Sequence, residues 1–202
     1  MAELTVDATI DSFMSETEAD GNNGDQDFMV HDVVYSGEMK LQWRRSIVNF
    51  DVSALAGATI NSAKLTRHIW SITNGGQSAR LSRCTRPADW TEGGVTWNKY
   101  DGANSWTNGG GDVDDTGPPA KVDYTEPTAT GDHDVTGLEA FVTDALDNRA
   151  NIVPLITRLV DEDPGVTTQY AWRSIEYGSD IWRLVIDYTP SPGGGFNMRN
   201  YG

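Results

Sequence analysis

Three tryptophans set among glycine-rich turns are the side chains here best suited to recognition chemistry. Trp90 and Trp97 flank Glu92-Gly93-Gly94, and Trp106 follows in a loop rich in Asn and Gly that also carries Tyr100 and Asp101. An indole has a large apolar face and one donor, so it either anchors a core corner or stacks on a sugar ring. Trp90 and Trp97 are expected to pack, since an indole is seldom left free. Trp106 is the candidate ligand or partner contact, with Tyr100 and Asp101 supplying hydrogen bonds to a sugar or a neighbouring subunit.

Oxygen donors cluster at Asp20, Asn22, Asp25 and Asp27, which are candidate ligands for a structural calcium ion. The EF-hand spacing is broken, because its fifth position is Gly24 and its twelfth is His31, where a bidentate Glu is required. A solvated turn is the plainer reading, as it is for Asp112, Asp114 and Asp115. No other cofactor is expected. His31, His68 and His133 are dispersed and Cys84 is the one cysteine, so zinc has no site. His31-Asp32 and His133-Asp134 are sequence neighbours, which a strand turns to opposite faces. Nucleophile elbows and phosphate loops are absent, and no carboxylate shows a readable reason for a raised pKa. The expectation is a protein without enzymatic activity.

The elements that must position these residues are mostly strands. Leu4, Val6, Ala8 and Ile10 share one face of an opening strand; Met39, Leu41 and Trp43 alternate, and Val48 and Phe50 continue an apolar phase. Ala63, Leu65 and Ile69 oppose Lys64, Thr66 and His68, while Trp182, Leu184, Ile186 and Tyr188 mark the closing strand. Turn clusters such as Asn74-Gly75-Gly76 and Gly109-Gly110-Gly111 punctuate them. Many short strands with such punctuation predict an all-β, two-sheet sandwich. One short amphipathic helix is expected over about 137–148, opened by a Thr136-to-Glu139 capping box and plugging an end of the sandwich. Ile152 to Ile156 reads as a buried strand that Pro154 places near an edge or bulge.

Residues 1–190 are expected to form the sandwich and 191–202 a flexible arm hinged at Gly193-Gly194-Gly195. The arm carries Phe196, Met198, Arg199 and Tyr201, residue types enriched in binding hot spots, and reads as a docking arm.

The formal charge of -15, with a pI near 4.4, argues against a nucleic-acid partner, and no segment is long and apolar enough for a membrane span. The same charge disfavours polyuronate ligands unless calcium bridges the like charges. The opening residues, Met1-Ala2-Glu3-Leu4-Thr5-Val6-Asp7, show no secretory signal.

In order and spacing, the chain resembles the DNRLRE-domain family of β-sandwich modules in secreted, cell-surface and phage proteins. The resemblance spans Leu4 to Tyr188. It rests on Arg45-Ser46-Ile47-Val48-Asn49-Phe50-Asp51, Ile60-Asn61-Ser62-Ala63-Lys64-Leu65, Asp89-Trp90-Thr91-Glu92 and Val95-Thr96-Trp97-Asn98. Asp134-Val135-Thr136 and Ser174-Ile175-Glu176 complete it, while Trp182-Arg183-Leu184 replaces the usual Pro-x-Leu before the last strand. The resemblance implies a jelly-roll-like sandwich. It also implies two kinds of role: virion or surface protein, or carbohydrate-binding module. A module standing without an export signal, with an aromatic arm, leads to the first. The protein is then a phage-type virion subunit, for capsid decoration, turret or tail, placed on the particle surface. Its partners would be other virion proteins and copies of itself in a homo-oligomer, with host-surface glycan as a further ligand. The alternative is a carbohydrate-binding module of a secreted or surface protein.

Overall fold

The computed structural model describes residues 1–86, 89–116 and 121–191. Twelve strands run β1 (Ala2–Asp7), β2 (Ile10–Ser15), β3 (Phe28–Ser36), β4 (Met39–Asp51), β5 (Thr59–Thr73) and β6 (Ser78–Cys84). They continue as β7 (Val113–Asp114), β8 (Lys121–Thr125), β9 (Gly131–Thr136), β10 (Ile152–Leu159), β11 (Thr168–Arg173) and β12 (Arg183–Thr189). Among the described residues one α-helix, α1 (Glu139–Asn148), lies between β9 and β10. The fold is an all-β, sandwich-like curl, as the alternation predicts.

Every pairing is antiparallel, in the order β1-β12-β5-β11-β3-β4-β10-β6-β7, with β2 on β4, β8 on β6 and β9 on β5. The long strands β4 and β5 make the sheet curl, because each changes partners along its length. β5 pairs with β12 through Thr59 to Thr66 and then with β11 from Ile69 to Thr73. β4 pairs with β3 near its start and with β10 over Ser46 to Asp51. The inward phase of these strands (Val48, Phe50, Leu65, Ile69, Leu155, Trp172, Leu184 and Ile186) makes one core, with Phe141, Val142 and Ala145 of α1 packed into it. A second cluster covers the other face of β2, β4 and β10, where Met14, Ile47 and Ile156 meet Trp90, Val95, Trp97 and Trp106.

Three local expectations are corrected. The opening alternation is two strands, not one: β1 pairs with β12 and β2 with β4, the chain crossing between partners at Ala8-Thr9. The capping box does not form, because Thr136 is spent on β9, paired with Lys64. Gly137, at φ +85, turns the chain into a helix whose N-cap is Leu138, without a side-chain cap. Pro154 lies in an interior strand, since β10 pairs with both β4 and β6. The β6 ladder begins only at Leu155, so on that side the proline meets no partner.

A buried polar network crosses the core. The carboxylate of Glu126 lies 2.8 Å from His31 Nε2, off the angle of a hydrogen bond, and 3.4 Å from Arg67 Nη2, and accepts from the Tyr124 hydroxyl at 2.6 Å. Arg67 itself stacks 3.7 Å from the centre of the Trp172 ring. Burial alone would raise the Glu126 pKa; the charges of Arg67 and His31 and the hydrogen bonds outweigh it and hold the carboxyl below its ordinary range.

Candidate functional site

The outer face of β3, β4, β5 and β11 carries a groove of about 360 Å³, within the ~300–1,000 Å³ typical of small-molecule sites. Its floor is Val30 and Ala171, both buried, and its sides are Phe28, Arg44, Trp70, Ser71, Gln169 and Arg173, with Asp27 at the rim. On β11 the outward residues Gln169, Ala171 and Arg173 follow period two, and the small Ala171 leaves the space between the longer side chains. On β5 the ladder slips: Ala171 pairs with Ser71 but Trp172 pairs with Ile69, so Trp70 is a bulged residue without a partner opposite. Bulges re-aim side chains, and this one turns Trp70 and Ser71 together toward the groove.

Trp70 is 44% exposed, a high value for an indole. Its ring meets Phe28 edge-on at 6.4 Å, and Phe28 stacks on Phe13 at 5.5 Å, which fixes the aromatic side. The Arg173 guanidinium lies 5.4 Å from the Trp70 ring centre and 3.5 Å from that of Tyr177, itself exposed. Among the described residues, Arg173 is the one arginine that pairs with no carboxylate; Arg44, Arg45, Arg67, Arg80, Arg83, Arg86, Arg149, Arg158 and Arg183 all do. In a chain with twice as many acids as bases, that exception is informative.

The groove residues were legible in part. Trp70 falls in the phase of Lys64, Thr66 and His68, and a tryptophan in a polar phase is a usable signal. Arg173 in phase with Gln169 is a weaker one. The residues singled out from the loops lie elsewhere. Trp106 is buried, donating from Nε1 to the Thr96 carbonyl at 3.0 Å, so its indole packs the second core and offers no open face. Tyr100 packs against it at 5.5 Å and lies under the Arg86 guanidinium. Asp101 turns back on its own loop, accepting from the backbone N–H of Ala103 and Asn104. Trp90 and Trp97 are buried, as expected of indoles, and Gly110 (φ +78) permits the packing of Trp97: a Cβ there would stand 2.7 Å from its ring. Phe196, Met198, Arg199 and Tyr201 lie outside the described residues.

The four calcium candidates do not converge. Asn22 donates to the carbonyls of Glu92 and Val95 and Asp20 accepts from Asn98, so two of them tie the loop down, while Asp25 accepts from its neighbour Gln26. The Asp27 backbone carbonyl faces Ser174 N–H. Asp112 caps the Thr107-Asn108 turn and pairs with Arg86, and Asp114 and Asp115 pair with Arg83 and Arg158. A different trio comes together instead. One carboxylate oxygen each from Asp11, Glu92 and Glu176 lie within 4.8 Å of one another. Burial, then the charges of Glu176 and Glu92, push the Asp11 carboxyl up to about 8 against a hydrogen bond from Ile175 N–H. This is a carboxylate with a raised pKa that the sequence hides, because its three members are far apart in the chain.

A sandwich that holds an open, aromatic and cationic groove on the face of one sheet has the build of a recognition module. The model of carbohydrate-binding module family 96 matches residues 2–126, more than half of the chain, and the protein belongs to that family. The match covers Asp27, Phe28, Arg44 and Trp70 of the groove and ends before β11, which contributes Gln169 and Arg173. The resemblance to DNRLRE-domain modules finds no separate support beyond the shared β-sandwich build. Curated proteins offer no match to the chain.

Proposed function

We propose that the protein is a carbohydrate-binding module that takes an acidic polysaccharide in the β3–β4–β5–β11 groove. The observation that carries this is Arg173: a guanidinium without a carboxylate partner among the described residues, held between the exposed rings of Trp70 and Tyr177. An aromatic ring stacks on the C–H face of a sugar, and a fixed guanidinium donates to a carboxylate or sulfate in fork geometry. The net charge of -15 opposes an acidic ligand at long range, yet physiological salt screens such effects beyond about 8 Å. At the contact itself, Arg173 decides. Asp32 is already neutralised by Arg44, and the rim residue Asp27 makes no ion pair with Arg173. Family membership supports carbohydrate over the virion role expected from the sequence, for which these features offer no support.

Affinity electrophoresis through gels containing polymannuronate, polygalacturonate, a sulfated galactan or neutral glucomannan tests the reading. Retardation by at least one acidic polymer, abolished in Trp70→Ala with an unchanged melting temperature, is the expected result. A wild type that none of the four retards overturns it.

A further inference from the structure

Resting on that reading, the other end of the groove has a chemistry of its own. Asp32 on β3 is 1% exposed, and both its carboxylate oxygens are occupied. Arg44 donates to them from Nε (2.9 Å) and Nη2, and Gln169 donates from Nε2 at 3.1 Å to the oxygen that Nη2 also holds. The amide orientation of Gln169 follows from this, since an NH2 and not a carbonyl must face a carboxylate. Its Oε1 then points away from Asp32 and accepts no hydrogen bond from a described residue. Arg44 Nη1 is likewise without a partner among the described residues. Both side chains line the groove. A fixed acceptor and a fixed donor thus stand together, held by one buried anion.

We infer that Arg44 and Gln169 read a free vicinal diol on the sugar next to the one anchored at Trp70 and Arg173, and that Asp32 is their positioning residue. A diol presents two hydroxyls, each able to donate or accept, and matches a donor beside an acceptor. The guanidinium bonded to Asp32 is pre-organised, so little conformational freedom is lost on contact. The groove then distinguishes polymers by the substitution of their ring hydroxyls as well as by their charge.

Isothermal titration with the retained polyuronate, in its native form and with ring hydroxyls O-acetylated, tests this, because acetylation blocks the diol and keeps the carboxylate. The wild type is expected to prefer the native polymer about tenfold, the effect of roughly one well-made hydrogen bond to a charged group. Gln169→Leu should weaken native binding about tenfold and leave acetylated binding unchanged, collapsing the preference. Asp32→Asn should also collapse the preference by releasing both partners, though the freed Arg44 charge strengthens binding of both polymers, and Gln169→Leu serves alone if that variant fails to fold. Equal affinity of the wild type for both polymers overturns the inference. So does a preference that survives Gln169→Leu while Trp70→Ala still abolishes binding, and in that case the groove itself stands. If Trp70→Ala leaves binding intact, the groove and the diol reader fall together.

Discussion

Arg173 and Trp70 meet because β5 carries one residue more than β11 across their shared ladder. Ser71 faces Ala171, Ile69 faces Trp172, and the unopposed Trp70 lies with its ring centre 5.4 Å from the Arg173 guanidinium. One extra residue therefore places an indole and a cation with no carboxylate partner among the described residues side by side on an open sheet face.

Arg173→Ala should lower affinity for an acidic polysaccharide about tenfold and flatten its dependence on salt between 50 and about 300 mM, since the charge-assisted contact is what salt screens. Arg173→Lys should recover only part of the affinity, because an ammonium cannot offer the planar fork or the stack on Tyr177. Titrations at two ionic strengths read both effects. A salt dependence unaltered by Arg173→Ala would remove this residue from the contact.

Trp106→Ala should cost about 3–5 kcal/mol of stability as a core truncation. Polysaccharide affinity should be unchanged at temperatures where the variant is folded, because the indole is buried against Thr96 and Tyr100. Urea unfolding and affinity electrophoresis separate the two. Lost binding with full stability would return Trp106 to the ligand site.

Asp11 sets a pH trend. The folded chain keeps its proton up to about pH 8, whereas an unfolded Asp releases it near pH ~4, so the folded state binds more protons across that window. Its contribution to stability is fully present below about pH 4 and is lost as pH rises toward 8. Asp11→Asn keeps an acceptor for Ile175 N–H and should raise stability at pH 8 by about 1–3 kcal/mol, with little change at pH ~4. Thermal melts across pH ~4–9 are the measurement.

Glu126→Gln leaves the Arg67 guanidinium buried without its anion and should destabilise by about 3–5 kcal/mol in chemical denaturation. In the parent chain the Glu126 carboxyl is held below its ordinary value, so its contribution is fully present above pH ~4.3. It is lost as pH falls through the lower folded value. Acid unfolding should therefore move to higher pH in any variant that weakens Arg67 or His31.

Period two in Leu65, Leu184 or Ile186, turn chemistry at the Gly-Gly pairs and an apolar 3.6-residue rhythm after Leu138 determined the β class, the helix and most of the core. These are local patterns, and a chain expresses them before any long-range contact exists. Packing of Trp90 and Trp97 could be expected because an indole is seldom left free, but the glycines that admit Trp97, Gly109 and Gly110, come from another stretch of the chain. Tertiary structure decided the rest. A bulge arises only when two strands pair with unequal lengths, so nothing within β5 alone sets Ser71 beside Trp70 on one face or brings Arg173 next to them. Arg173 is conspicuous only once every other described arginine has found its carboxylate, a property of the assembled fold. Asp11, Glu92 and Glu176, like Asp32, Arg44 and Gln169, come from distant parts of the chain, and strand pairing alone brings them within bonding distance.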